Sequence, residues 1–294
     1  MKRSPLRNLL EWLGVSLLLA TLRWTPRRVA MTIAGAGTRL LDRMAPRLRR
    51  IGRINLAIAL PEKSAAEHEA ILDEVFRSIA RMLVVFARFP GLRVEEWIRY
   101  DGREHFDAAK AAGKGALFYT AHLGNWELSA FAHGVLTEPM GVVVRPLDNP
   151  RLDALATHYR SLGGNQVIAK KDARPLLRLL QANRAVGILA DQNAAPEEGV
   201  FVRFFGKLAC AHSGFARLAK HTGATVIPGY ALWEEREQRY VLRFFPPMTM
   251  SGEEREDTER LHSHLESVIR QYPGQWLWIH RRWKTRPPGE PPLY

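Results

Sequence analysis

The chain has 294 residues, 46% of them hydrophobic and 25% charged, which allows one large buried core and excludes wholesale disorder. A single cysteine, Cys210, excludes an internal disulfide framework. The net charge of +13 sits at the two ends: residues 1–50 carry eleven Lys/Arg against two acidic residues, residues 276–294 carry four against one, and the middle is nearly neutral.

Residues 12–22 form an uncharged run of eleven, short of the ~20 apolar residues that a bilayer-crossing helix needs. Arg23, Trp24 and the Arg27-Arg28 pair follow, then a second uncharged run over 29–38. Trp12 and Trp24 bracket the first run as interfacial anchors would. Glu11 interrupts the junction that a signal peptide would need, and no Ala-x-Ala site follows promptly. Residues 1–45 therefore read as an uncleaved anchor or an in-plane membrane helix, with a buried soluble helix as the alternative. Basic ends around an apolar run fit an anionic membrane surface, at roughly 1 kcal/mol per basic residue. Nucleic acid would ask for a basic folded face interleaved with aromatics, so no nucleic-acid partner is expected.

Residues 46–294 read as one further domain. The stretch 39–60 is basic and helix-favouring, and 64–88 places Ile71, Val75, Ile79, Leu83 and Val84 at helical spacing. Beyond Pro90-Gly91, short apolar runs predict strands at 116–120, 140–145, 166–169, 185–190, 224–230 and 240–245. Helices are predicted between them at 127–134, 151–162, 174–183 and 213–221, and again at 257–272. Strands alternating with helices define an α/β fold with a central, mostly parallel sheet flanked by helices. The proline-rich tail from Pro287 reads as an extended surface strap.

In such a sheet, reactive groups gather where strands end and helices begin. His122 lies two residues beyond a predicted strand, and Glu127 falls in the first turn of the next helix. The pattern predicts an imidazole with the Glu127 carboxylate folded back against it, fixing the tautomer and stabilising the imidazolium. His122 would then serve as general base on an alcohol that attacks an activated acyl group. The helix-start N–H groups near Gly124 and Asn125 are candidate oxyanion donors. Spacing alone is weak, because ten histidines and acids at about a tenth of positions give roughly one His-x4-acid match by chance. His133 and Glu138 make one such match, with no strand leading into it.

The segment Ala121-His-Leu-Gly-Asn-Trp-Glu-Leu resembles the first motif of the bacterial lipid A late (lauroyl/myristoyl) acyltransferases, a family related to the glycerol-phosphate acyltransferases. Val144-Arg-Pro-Leu-Asp-Asn-Pro, Ala190-Asp-Gln, Val202-Arg-Phe-Phe-Gly-Lys, Trp276-Leu-Trp-Ile-His-Arg-Arg-Trp-Lys-Thr-Arg-Pro and Arg50-Ile-Gly-Arg-Ile-Asn-Leu resemble further elements of that family. The resemblance implies transfer of a fatty acyl chain from acyl carrier protein to a hydroxyl of a lipid A precursor. It implies direct attack without an acyl-enzyme, no metal and no cofactor beyond the thioester co-substrate. It also implies attachment to the bacterial inner membrane with the active site facing the cytoplasm. Acyl carrier protein and an anionic glycolipid acceptor are the expected partners. An enzyme of the same fold acting on another glycolipid or phospholipid is the alternative, and a non-catalytic lipid-binding protein a more distant one.

Candidates for substrate contact follow from charge and position. Arg145 ends an apolar strand, where an unpaired charge is costly, and suits a phosphate or acyl donor as well as a salt bridge. Asn149 precedes Pro150 and suits helix capping and substrate contact equally. Asp191 stands at a strand end and fits a site role or a turn. Arg281, Arg282 and Lys284, interleaved with Trp283, suit an anionic substrate, and Lys170-Lys171 reads as a solvated pair. Cys210, flanked by alanines, reads as packing. No histidine spacing suggests a metal site.

Overall fold

The computed structural model describes residues 4–294. Four helices come first: α1 (Pro5–Trp24), α2 (Arg27–Met44), α3 (Pro46–Ala59) and α4 (Ala65–Ala87). Pro5 and Pro46 each open a helix where no N–H is needed. A capping box starts α4, with the Ser64 side chain accepting from the Glu67 N–H and the Glu67 carboxylate accepting from the Ser64 N–H.

The chain then alternates: β1 (Ile98–Asp101), α5 (Arg103–Ala111), β2 (Ala116–Thr120), α6 (Trp126–Leu136), β3 (Gly141–Val144), α7 (Pro150–Ser161), β4 (Gln166–Ala169), α8 (Ala173–Gln181) and β5 (Ala185–Leu189). A hairpin follows, β6 (Gly199–Phe204) and β7 (Lys207–His212), then α9 (Gly214–Thr222), β8 (Thr225–Glu234), β9 (Arg239–Phe244) and α10 (Glu254–Gln271). The main sheet has seven strands in the order β1-β9-β8-β2-β5-β3-β4. Strands β8, β2, β5, β3 and β4 run parallel, while β9 pairs antiparallel with β8 and carries β1 beside it. This is the expected α/β architecture. It adds three elements that periodicity did not reveal: β1, α5 and the β6–β7 hairpin, which stands outside the main sheet.

Alternation along the strands divides the core between the two faces. Leu117 and Tyr119 of β2 join Val226, Tyr230 and Leu232 of β8 on the face covered by α3, α8, α9, α10 and the tryptophans 276, 278 and 283. Ala116 and Phe118 join Ile227, Ala231 and Trp233 on the other face, under α1, α2, α5 and α6. The C-terminal strap is anchored rather than loose: Leu293 and Tyr294 pack on the first core, and the Tyr294 hydroxyl bonds the Trp283 N–H at 3.1 Å and the Asn55 side chain.

Among the described residues no helix is long and apolar enough to cross a membrane. Helix α1 buries Leu19 and Leu22 but exposes Leu6, Leu10, Leu13 and Leu17 along one stripe, and α2 exposes Leu40, Leu41 and Met44.

Candidate active site

Parallel pairing places the two central side chains together. Thr120 and Leu189 are register partners at the ends of β2 and β5, and His122 and Asp191 each lie two residues beyond. The His122 ring bonds Asp191 through Nδ1 and Oδ1 at 2.8 Å. Asp191 Oδ2 accepts the His122 backbone N–H at 3.0 Å and the Trp276 indole N–H at 2.9 Å. Every oxygen of a carboxylate only 2% exposed therefore has a donor.

Burial works to raise the Asp191 pKa, but the His122 charge, its ring N–H and the indole outweigh it and hold the carboxyl far below its usual range. For His122, burial works downward; the Asp191 charge and hydrogen bond, with the Glu127 charge, prevail and leave the imidazole pKa raised. With an ionised acceptor at Nδ1, the neutral ring carries its proton there and presents a lone pair at Nε2. The Gln192 amide nitrogen approaches that atom at 3.4 Å.

This corrects the expected partner. Glu127 does not fix the imidazole tautomer; its two oxygens accept from Arg160 Nη2 at 2.6 Å and Nε at 2.9 Å, a bidentate pair that sequence reading missed. The Glu127 negative charge adds to the upward shift of the His122 pKa. Gly124 and Asn125 are not open oxyanion donors either, since their N–H groups bond Gln275 O at 2.9 Å and Ala231 O at 2.8 Å. Gly124 serves close approach: its φ is +66°, and a Cβ there would lie 2.0 Å from Ala231 O. The Asn125 side chain caps α6 by accepting from the Leu128 N–H at 3.0 Å.

The outer candidates separate in the same way. Arg145 is 85% exposed beside Asp148, so its charge is solvated and needs no buried partner. Asn149 caps α7 through the Arg151 N–H at 3.0 Å, and its amide ties α1 down at Asn8 O and Glu11. Arg282 is fully buried, donates to Cys210 O at 2.7 Å and lies over Phe204, so it cannot meet a substrate at the surface. Burial pulls its pKa down to about 10. Arg281 leans on Tyr294 and Lys284 is exposed. Asn55, in the Arg-Ile-Asn-Leu stretch, pins the C-terminal segment by donating to Trp278 O at 2.6 Å and His280 O at 2.7 Å.

An apolar cavity of about 710 Å³, its opening included, lies between α6 and the sheet. Glu127, Arg160 and Trp126 line it, as do Phe118, Val142, Gly187, Gly229 and Phe244. Trp126 also meets the His122 ring edge-on, with centroids 5.0 Å apart. His133, the chance match, is buried in the cavity wall among Phe106, Phe118 and Phe244, and burial lowers its pKa to about 3. Glu138 pairs instead with Lys110.

A histidine held by a buried carboxylate at the end of a parallel sheet, beside an apolar cavity, gives this α/β protein a candidate site where such folds bind their ligands. The chain belongs to the bacterial lipid A biosynthesis acyltransferase family, whose model matches residues 1–285. It is similar to the lipid A biosynthesis lauroyltransferase of Escherichia coli K12, 29% identical over 98% of this chain and 95% of the relative. The palmitoleoyltransferase of the same organism is 29% identical over 88% of this chain and 87% of its own length. Its myristoyltransferase is 26% identical over 95% and 88%. The chain is thus an acyltransferase, of a family that carries out late acylation of lipid A.

Proposed function

We propose that the chain transfers a fatty acyl group from an acyl carrier protein thioester to a hydroxyl of a lipid A precursor, with His122 as general base. The observation that carries this reading is the 2.8 Å bond that His122 Nδ1–H donates to Asp191, which leaves Nε2 basic beside an apolar cavity. The acceptor hydroxyl gives its proton to Nε2 as its oxygen attacks the thioester carbonyl carbon. Asp191 and, at longer range, Glu127 stabilise the imidazolium. The C–S bond then breaks and the imidazolium returns the proton to the departing thiolate.

Glu127 and Arg160 form the polar rim of the cavity that takes the acyl tail. Among the described residues, the Trp126 and Glu127 N–H groups of the first turn of α6 have no partner and suit the developing oxyanion. Basic residues around the exposed stripes of α1 and α2 support residues 1–45 lying in the interface of an anionic inner membrane, with residues 46–294 as the catalytic unit on its cytoplasmic side. Mass spectrometry of products from purified protein, acyl carrier protein donors of several lengths and a lipid A precursor tests the reading. A product heavier by one acyl group is expected, and an unmodified precursor with every donor overturns it.

A further inference from the structure

The C-terminal segment brings a second histidine to the site. The Asn193 backbone N–H donates to His280 Nε2 at 3.2 Å, so that ring nitrogen is an acceptor and the neutral ring carries its proton at Nδ1. Asn193 is itself fixed, since its side chain bonds Thr285 Oγ1 at 3.0 Å, accepts the Thr285 N–H at 2.9 Å and donates to Ala194 O. Asn55 holds the His280 carbonyl. The Asn193 N–H thus selects the Nδ1–H tautomer, and Asn55 fixes the backbone that carries the ring. Its Nδ1–H has no partner among the described residues, yet this atom is not sealed from solvent as the unpartnered nitrogens of His133 and His262 are.

The direction in which that donor is used follows from its neighbours. Gln192, next to Asn193, contacts the basic Nε2 of His122, and His122 and His280 are close enough to repel each other as cations. None of the residues that line the apolar cavity comes from the Gln192–Asn193 turn or from residues 275–285. His280 therefore lies outside the wall of that cavity. Burial, opposed by the Asp191 charge and reinforced by the Arg282, His122 and Lys284 charges, lowers the His280 pKa to about 4, which keeps the ring neutral at pH 7. A neutral, tautomer-fixed imidazole can polarise or position an oxygen without competing for the proton in transfer.

Resting on the acyl-transfer reading above, we infer that His280 donates from Nδ1 to an oxygen of the acceptor substrate and so positions its hydroxyl at His122. Two isosteric substitutions separate this from a purely structural role. In His280→Asn the amide nitrogen occupies the place of Nδ1 and keeps the donor, but loses the acceptor for Asn193. In His280→Gln the amide reaches the place of Nε2 and keeps the brace on Asn193, but loses the donor. The inference predicts that His280→Gln raises KM for a lipid A precursor tenfold or more while leaving KM for the acyl carrier protein donor unchanged. His280→Asn stays within about threefold of wild type on both. The reverse order, equal losses on both substrates, or two wild-type-like variants each overturn it.

Nitrogen-15 NMR of histidine-labelled wild-type protein gives a reading that does not depend on the variants folding. His280 is expected as the Nδ1–H tautomer at pH 7, with a signal that shifts when the precursor is added. A wild-type enzyme that acylates the precursor with an unmoved His280 signal overturns this inference alone; one that transfers nothing overturns both.

Discussion

Replacing Asp191 by Asn keeps the shape of the side chain and removes its charge, and the hydrogen bonds around it decide how the site responds. Asp191 accepts from three donors: the His122 ring, the His122 N–H and the Trp276 indole. If the Asn oxygen faces the last two, its NH₂ group faces Nδ1, which must then become the acceptor, and the imidazole proton moves to Nε2. If the amide turns over, its NH₂ group meets two N–H donors instead. The first arrangement avoids both of those mismatches, each of which would cost about 1–3 kcal/mol, and it removes the basic lone pair from Nε2. Loss of the carboxylate also removes the attraction that stabilises the imidazolium, about 4 kcal/mol for unit charges 4 Å apart at an effective dielectric of 20. The lost attraction alone lowers the rate by about 10³-fold, at 1.36 kcal/mol per decade, and the wrong tautomer lowers it further. The assay is thiol release from acyl carrier protein in the presence of acceptor, with circular dichroism as the control for folding. Asp191→Asn folding normally and keeping more than about a tenth of wild-type kcat/KM would refute the reasoning.

Other consequences follow from the same geometry. Because His122 must be neutral to accept a proton and its pKa is raised above 6.5, kcat/KM should fall as pH drops through an apparent pKa above that value. Asp191→Asn, lacking the neighbouring negative charge, should shift the residual limb to lower pH; a limb that stays in place contradicts the assignment. Glu127→Ala leaves the Arg160 cation without its bidentate partner on the cavity wall, and a loss of about 10²-fold or more in kcat/KM is expected, partly recovered by the double variant Glu127→Ala/Arg160→Met. Gly187 lines the cavity, where even a Cβ would lie 2.7 Å from Met140 Cε. Gly187→Leu should therefore shift donor preference toward shorter chains, each methylene counting about 1–3 kcal/mol, as read by product mass in donor competition. Leu10→Glu with Leu17→Glu places charge on the exposed stripe of α1, and co-sedimentation with anionic vesicles should drop sharply if that face meets the membrane.

The sheet was legible because its central strands are short apolar runs bounded by turns, and His122 was legible because it follows one of them. Its partner was not, because Asp191 is 69 residues away and only the pairing of β2 with β5 brings the two strand ends together. Glu127, five residues from His122, offered a nearer and misleading candidate, although Asp191 had already stood out as a strand-end acid. The β6–β7 hairpin escaped notice because Phe205 and Gly206 form its two-residue turn with φ of 50° and 73°, and Phe gives none of the Asn or Asp signal usual at the first position. Among the described residues strand β1 pairs only with β9, and it carries mixed polarity, so no buried run announced it. Arg282 looked like its basic neighbours; its burial beneath Phe204 depends on how the C-terminal loop turns inward, which no local spacing encodes.

The most direct test of His122 as the base is the single-turnover rate of acyl transfer by His122→Ala, with saturating lipid A precursor and preloaded donor. A loss of about 10²–10⁴-fold is expected, with partial recovery on adding free imidazole. Transfer within about tenfold of wild type would contradict the account.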